Sequence, residues 1–450
     1  RRIVFYTNNL NQIAMERYFK TILVAIFAIL PMLSLAQNRG DRDDMLIDID
    51  VKAPYVSEEF ATIKVETKIP QNLYGESLKL VIEIKNNVGN LVAYEDRYLN
   101  DDEKDVVIQT LTLENPWLWS EENPYLYTVE RKIYKEDTII DNQRVYIALK
   151  DFYYLENKGF ILNGSTYNLR AVRYKTHQID EINRFISLMK NLMLLREMGC
   201  NTIIVDDNLY DSIERITNVM GIVSIKSSST ESVPELFDKV EDLDDLIDNA
   251  FIPKDKYYYY QSIWNKDLEQ LHLLPHWNWK GREGEITPVL VYTNYPKVEL
   301  FVNGESKGIS EGCRNLWYDV EYEPGNIKAV AYNEDDEIVA QKILNTPSKP
   351  HHIKVINHPE ITLPLSRGFI SFVTLRVVDE TGELVNDYNK KISVKVKSGG
   401  ELICLINSSK SDNYTTKSSL KAHNGELTLI IRSSGESKEL DIDVKGKGVK

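Results

Sequence analysis

Over residues 46–149 apolar and polar residues alternate with a period of two. Ile47-Asp48-Ile49-Asp50-Val51, Ala61-Thr62-Ile63-Lys64-Val65 and Leu78-Lys79-Leu80-Val81-Ile82-Glu83-Ile84 are the clearest runs. Such alternation turns one face of a strand to a core and the other to water. Turn residues punctuate the runs at Asn86-Asn87, Gly89-Asn90 and Asp101-Asp102. About seven short strands at this spacing predict an immunoglobulin-like β-sandwich.

The period changes after residue 150. Asn163-Gly164 reads as a two-residue hairpin turn between 160–162 and 167–169. Phe185, Leu188, Met189, Leu192 and Leu195 then recur at helical spacing over 182–198, and Gly199 is placed to stop that helix. A strand at 202–205, a helix at 213–219 and a strand at 221–225 follow. Strand, helix, strand, helix, strand begins a parallel α/β unit. A loop at 227–230 and an acidic amphipathic helix over 233–246 are expected next. From Tyr257 onward the pattern predicts β again. A second sandwich is expected within 251–346, with its strands from 262, and a third over 350–450. Pro347-Ser348-Lys349-Pro350 reads as the linker between them.

The N-terminal pattern predicts a targeting signal. Arg17 and Lys20 precede an apolar run over 22–33, about 12 residues, too short for a bilayer and suited to a signal core. Ser34-Leu35-Ala36 places small residues at both ends of a cleavage triplet, and Met15 lies just before the charged region. The expectation is upstream residues over 1–14, a signal peptide over 15–36, a mature chain from Gln37, and a secreted or periplasmic protein. A membrane anchor is the other reading of this run; no span is expected in the mature chain.

Composition removes some partners. The net charge is −14, without the basic face that neutralising phosphates requires, so no nucleic acid is expected. Cys200, Cys313 and Cys404 have neither the density of a disulfide framework nor zinc spacing, and read as small buried side chains. No cofactor or metal is expected. His276 has no histidine or carboxylate at metal spacing.

Several segments resemble glycoside hydrolase family 2, of the β-galactosidase type. Residues 115–127 (NPWLWSEENPYLY) resemble the end of that family's immunoglobulin-like domain. Residues 158–164 (KGFILNG) and Leu169-Arg170-Ala171-Val172 resemble the entry to its (β/α)8 barrel. Met189-Lys190 and 197–203 (EMGCNTI) resemble its first helix and second strand. Residues 273–279 (LLPHWNW), Tyr292-Thr293-Asn294 and 298–304 (VELFVNG) resemble the sandwich after the barrel, and 368–385 a further bacterial immunoglobulin-like domain. The resemblance implies a mainly β fold: three immunoglobulin-like β-sandwiches with an incomplete α/β segment, a TIM-barrel remnant over 150–250, between the first and second.

The resemblance also implies what is missing. Family members begin with a jelly-roll sugar-binding domain, for which there is no room before residue 46. A barrel needs about 250 residues, and about 100 lie between Asp151 and Phe251. The family's acid/base glutamate follows strand four and its nucleophile strand seven, so the expectation is no catalytic residue in this chain. Where the family carries an arginine and a histidine after Asn201-Thr202-Ile203, this chain has Ile204 and Asp207, and Ala171 stands for the family's glycine. His177 matches the histidine after strand one and is a substrate-binding candidate; an exposed loop histidine is the plainer reading.

Trp277 and Trp279 are further candidates as sugar-stacking rings, against sandwich packing. Retaining hydrolysis needs two carboxylates about 5–5.5 Å apart, one protonated. Asp206, Asp207, Glu231, Glu235 and the acids of 241–248 are those available. Glu231 and Glu235 sit at i, i+4, the spacing of one solvated helix face. Three readings stay open: a β-galactosidase-like hydrolase of carbohydrate metabolism, a non-enzymatic glycan-binding or scaffold protein, and a gene remnant or mis-assembled frame. The expected partners are a β-linked glycan and a second copy meeting at the open barrel edge; the expected activity is none.

Overall fold

The computed structural model describes residues 2–5, 49–69, 71–73, 75–99, 106–175, 181–231, 233–358, 361–363, 368–411, 413–433 and 440–449. The apolar run of 22–33, the cleavage triplet and His177 lie outside the described residues.

The first sandwich follows its alternation. Ile49–Val56, Phe60–Lys68 and Val106–Glu114 form one antiparallel sheet; Leu91–Tyr98, Leu78–Lys85, Leu126–Lys135 and Thr138–Ala148 form the other. Every second residue of Val106–Glu114 is buried. Ile63, Val65, Ile82, Ile84, Leu111 and Val129 fill the space between the sheets. Each such side chain contributes roughly 1.5–3 kcal/mol by leaving water.

The second sandwich begins at residue 271. Leu271–Leu274, Val289–Thr293 and Arg314–Trp317 pair in one sheet, and Glu305–Glu311, Lys297–Val302, Asn326–Tyr332 and Ile338–Asn345 in the other. In the third, His352–Asn357, Gly368–Val378, Glu426–Ser433, Gly400–Ile406 and Tyr414–Thr415 lie side by side, with Ile361–Leu363 on Gly368–Val378. The opposing sheet orders Leu440–Gly446, Lys391–Ser398 and Ser419–Lys421; Arg2–Phe5, from the stretch that the sequence places upstream of the mature chain, pairs on the outer edge of Leu440–Gly446.

The α/β segment does not close. Ala171–Arg173 runs parallel to Glu241–Asp242, and Thr202–Val205 runs parallel to Val223–Lys226. The chain falls into two compact units whose boundary passes through this segment: 172–200 and 238–450 belong to one, 11–171 and 201–237 to the other. Strands this few and short cannot enclose a barrel interior, so each portion packs with the sandwich of its own unit.

The helix Glu181–Met198 ends where Gly199 takes a φ of +96°. A Cβ there would stand 2.8 Å from the Trp264 carbonyl carbon, so glycine is needed twice, for the left-handed turn and for the close approach. The helix is buried on more than its apolar stripe: Ser187, Lys190 and Asn191 are buried with Ile186, Leu188, Leu192 and Leu195.

Three expectations fail here. Ser227–Thr230, expected as a loop, forms one helical turn. The acidic helix over 233–246 is instead a 3-10 turn Pro234–Leu236, the two-residue strand Glu241–Asp242 and the short helix Leu243–Leu246. Parallel pairing with Val172 and Arg173, and a hydrogen bond from the Arg173 guanidinium to the Val240 carbonyl (2.9 Å), override the local helical pattern. The tyrosine-rich stretch expected to be strand is the helix Asp255–Trp264. Tyr257 and Gln261 lie four apart and reach one neighbour. The Tyr257 hydroxyl donates to Leu194 O (2.8 Å), and Gln261 Nε2 and Asn265 Nδ2 donate to Glu197 O (3.2 and 2.8 Å). Capping the end of Glu181–Met198 outweighs tyrosine's strand preference.

All three cysteines are free thiols; Cys200 and Cys404 are buried as expected, whereas Cys313 is half-exposed. Among the described residues no helix is long and apolar enough to cross a membrane.

Candidate functional site

In a parallel α/β fold the chemistry gathers where strands end. After Ala171–Arg173 comes Lys175, whose ammonium lies 2.8 Å from Asp242 at the end of Glu241–Asp242. Glu241 is taken by Lys256 (2.6 Å) and by the Tyr260 hydroxyl (3.0 Å). In the other unit, Asp207 follows Thr202–Val205 and accepts the Ser228 N–H (3.0 Å) and hydroxyl (2.5 Å). Those bonds hold its carboxyl below the usual range. Lys226 lies over the Tyr210 ring at 4.9 Å. Asp242, Glu241 and Asp207 each already have a partner, and Asp207 is more acidic than usual, the reverse of a proton donor.

Glu231 and Glu235 do not share a helix face. Both are exposed, Glu231 in a turn and Glu235 in the 3-10 turn Pro234–Leu236. Pro234 starts that turn and breaks the helical spacing that the sequence shows.

Carboxyls with raised proton affinity lie elsewhere. Burial pushes Asp248 up to about 6, although it accepts the N–H groups of Ile252 (2.9 Å) and Ala250 (2.8 Å). Its loop docks on the third sandwich: the Thr428 hydroxyl donates to Ala250 O (2.9 Å), and Phe251 meets Phe372 edge-on at 5.2 Å. Glu426, which raises Asp248 further, is itself bonded to Arg376 (2.5 Å). Glu197 is raised by burial at the end of its helix. Asp248 therefore folds a loop rather than facing a strand-end cleft. Among the described residues no histidine, cysteine and carboxylate group is placed to hold a metal ion.

The two tryptophan candidates differ in their packing. Trp277 is fully buried in the second sandwich, edge-on to Tyr322 at 5.1 Å, with its indole N–H donated to Glu323 O (2.9 Å). Trp279 is half-buried; His276 stacks on it at 4.2 Å and the Arg282 guanidinium lies 5.0 Å from its centre. Trp277 therefore offers a sugar no open face. Burial also draws the His276 imidazole below its ordinary value.

Trp119 is structural. Fully buried, it donates its indole N–H to Asn218 O (2.6 Å), while Lys150 lies over its ring and bonds Asn218 Oδ1 (2.6 Å). This pins the first sandwich to the helix Tyr210–Met220. Arg170 likewise serves the frame: it pairs with Glu121 (2.8 Å), and its backbone N–H is accepted by Asn201 Oδ1 (2.8 Å). Trp117, two residues before Trp119, is 66% exposed. Sequence reasoning passed over it as part of a family signature, and its spacing from Trp119 held no signal that the two rings would part.

Residues 46–150 match the family model described as glycosyl hydrolases family 2, and residues 366–450 the one described as glycoside hydrolase family 2 C-terminal domain 5. Residues 284–340 match a domain of unknown function (DUF4982). The β-galactosidase BoGH2A of Bacteroides ovatus is 33% identical over 211 residues, 46% of this chain and 24% of that protein. A putative β-glucuronidase of Formosa agariphila is 30% identical over 203 residues, 43% of this chain and 19% of that protein. The chain thus spans less than a quarter of the length of these curated relatives. The crystal structure of a family 2 member from Bacteroides cellulosilyticus shares the fold, with a TM-score of 0.69 at 18% identity over 89% of this chain and 77% of that one. With family 2 models matching its first and third sandwiches, the chain carries domains of glycoside hydrolase family 2.

Proposed function

We propose that this chain is an extracytoplasmic, β-galactosidase-related member of family 2 that engages β-linked glycans without hydrolysing them. The observation that carries the reading is the state of the strand ends. Asp242 and Glu241 are neutralised by lysines, and Asp207 is bonded to Ser228. The carboxyl pushed up to about 6, Asp248, is spent on its own loop. Retaining hydrolysis requires an acid and a nucleophile about 5–5.5 Å apart facing one sugar. The sugar class is supported by the relatives named as a β-galactosidase and a putative β-glucuronidase.

The test is turnover by purified protein beginning at Gln37, with an aryl β-galactoside and an aryl β-glucuronide. The expected rate is that of buffer. Turnover abolished by Glu231→Gln or Glu235→Gln would overturn the proposal by revealing a relocated carboxylate pair. Turnover that rises with the square of protein concentration would instead support assembly of the α/β segments of two copies. The extracytoplasmic placement rests on the charged and apolar pattern of 15–36; an exported product that starts at Gln37 is the expected result.

A further inference from the structure

We propose that one end of the first sandwich is a binding platform for neutral β-linked oligosaccharides, centred on Trp117. The inference deepens the glycan-binding reading above and rests on it.

The strand register gathers three connections at this end. Val56 pairs with Ala61, Phe60 with Glu114, Lys85 with both Leu91 and Thr128, and Leu126 with Ala148. The connections 57–59, 86–90 and 115–125 therefore emerge together, as binding loops do on a sandwich.

Trp117 stands in the third of these and is held rigidly. Its backbone N–H donates to the Tyr127 hydroxyl (2.8 Å), and Tyr127 is buried in the sandwich core. Tyr125 lies nearly parallel behind the indole, with centroids 6.2 Å apart and planes 22° apart. Tyr125 in turn rests on Tyr127 at 5.0 Å, and its hydroxyl accepts the Asn87 N–H of the second connection (3.4 Å). With Tyr125 backing one face, the 66% exposure of Trp117 is presented by the other. A second stacked pair, Tyr55 and Phe60 (4.8 Å, 24°), is exposed at the same end.

A fixed, flat, solvent-facing ring fits the C–H face of a pyranose, and a polar rim fits its hydroxyls. The rim here is amide and carboxylate: Asn87, Asn90, Asn115, Glu114 and Glu122 are all exposed. With Glu58 and Glu59 also exposed, and no lysine or arginine in the three connections, the charge disfavours an anionic sugar. Neutral oligosaccharides are therefore favoured over uronic acids.

The experiment titrates the full protein with a β-1,4-galactooligosaccharide, cellotetraose and an oligosaccharide containing β-glucuronic acid. It reads calorimetry and tryptophan fluorescence for the native protein, Trp117→Ala and Trp117→Phe. The expected result is binding of a neutral oligosaccharide, weakened about tenfold or more by Trp117→Ala and less by Trp117→Phe, with unchanged circular dichroism. The uronate should bind less tightly. Absence of neutral binding, or binding indifferent to Trp117→Ala, overturns the platform while leaving the hydrolysis assay to judge the broader reading. A concentration-dependent dimer dispersed by Trp117→Ala, without oligosaccharide binding, also overturns it and makes the patch a protein interface.

Discussion

Lys190 places an ammonium where water cannot reach it, and replacing it should stabilise the protein. The side chain is 3% exposed, on a helix turned toward the third sandwich, and its Nζ lies 5.2 Å from the centre of the Phe372 ring. Burial draws it from 10.5 down to about 8, against the pull of Glu197, whose own carboxyl burial pushes up. At about 1.4 kcal/mol per pH unit, that depression corresponds to a cost of roughly 3 kcal/mol while the amine is charged in the fold. Below pH 8 both folded and unfolded chains carry the proton, so the whole cost is present. Between 8 and 10.5 the unfolded chain binds a proton that the fold sheds, and stability rises with pH; above 10.5 the cost is gone. Lys190→Met keeps the length and removes the charge. At pH 7 it should raise unfolding stability by about 2–3 kcal/mol, a gap that closes as pH approaches 10. Urea unfolding followed by tryptophan fluorescence at pH 7, 8, 9 and 10 reads this directly. His358, held near 4 by burial and by Lys190 and Arg376, and Asp248, near 6, titrate below that window. A variant less stable than the parent at pH 7, or a gap that does not change with pH, would refute the reasoning by showing that the ammonium is compensated.

Other consequences follow from packing. Trp119→Ala should destabilise its unit by about 3–5 kcal/mol, because it empties a fully buried site and orphans the Asn218 carbonyl; calorimetric unfolding is the readout, and a loss below about 1 kcal/mol would contradict the pinning role. Gly199→Ala should lower the melting temperature through about 1–3 kcal/mol of strain, since its φ is +96° and its Cβ would meet the Trp264 backbone at 2.8 Å; an unchanged transition would mean that the Asp255–Trp264 helix gives way freely.

By itself the sequence determined the three sandwiches, the helix to Met198 and its stop at Gly199, because periods of two and 3.6 and a left-handed glycine are local properties. It also showed that residues 150–250 are too few for a closed barrel, a matter of length alone. Tertiary structure decided which side of each alternation faces in. Trp117 and Trp119 stand two apart, as do Trp277 and Trp279, a spacing that shares one face of a regular strand, yet the first pair divides into an exposed ring and a structural pin, while Trp277 is core and Trp279 is half-buried beneath His276 and Arg282. Neither pair lies in a strand, so the spacing leaves open where its rings point. The same limit hid the pairing of Glu241–Asp242 with Val172–Arg173 and the helix at Asp255–Trp264. Both depend on hydrogen-bond partners distant in sequence, Val240 with Arg173 and Tyr257 with Leu194, and local propensity carries no information about partners that only folding brings together.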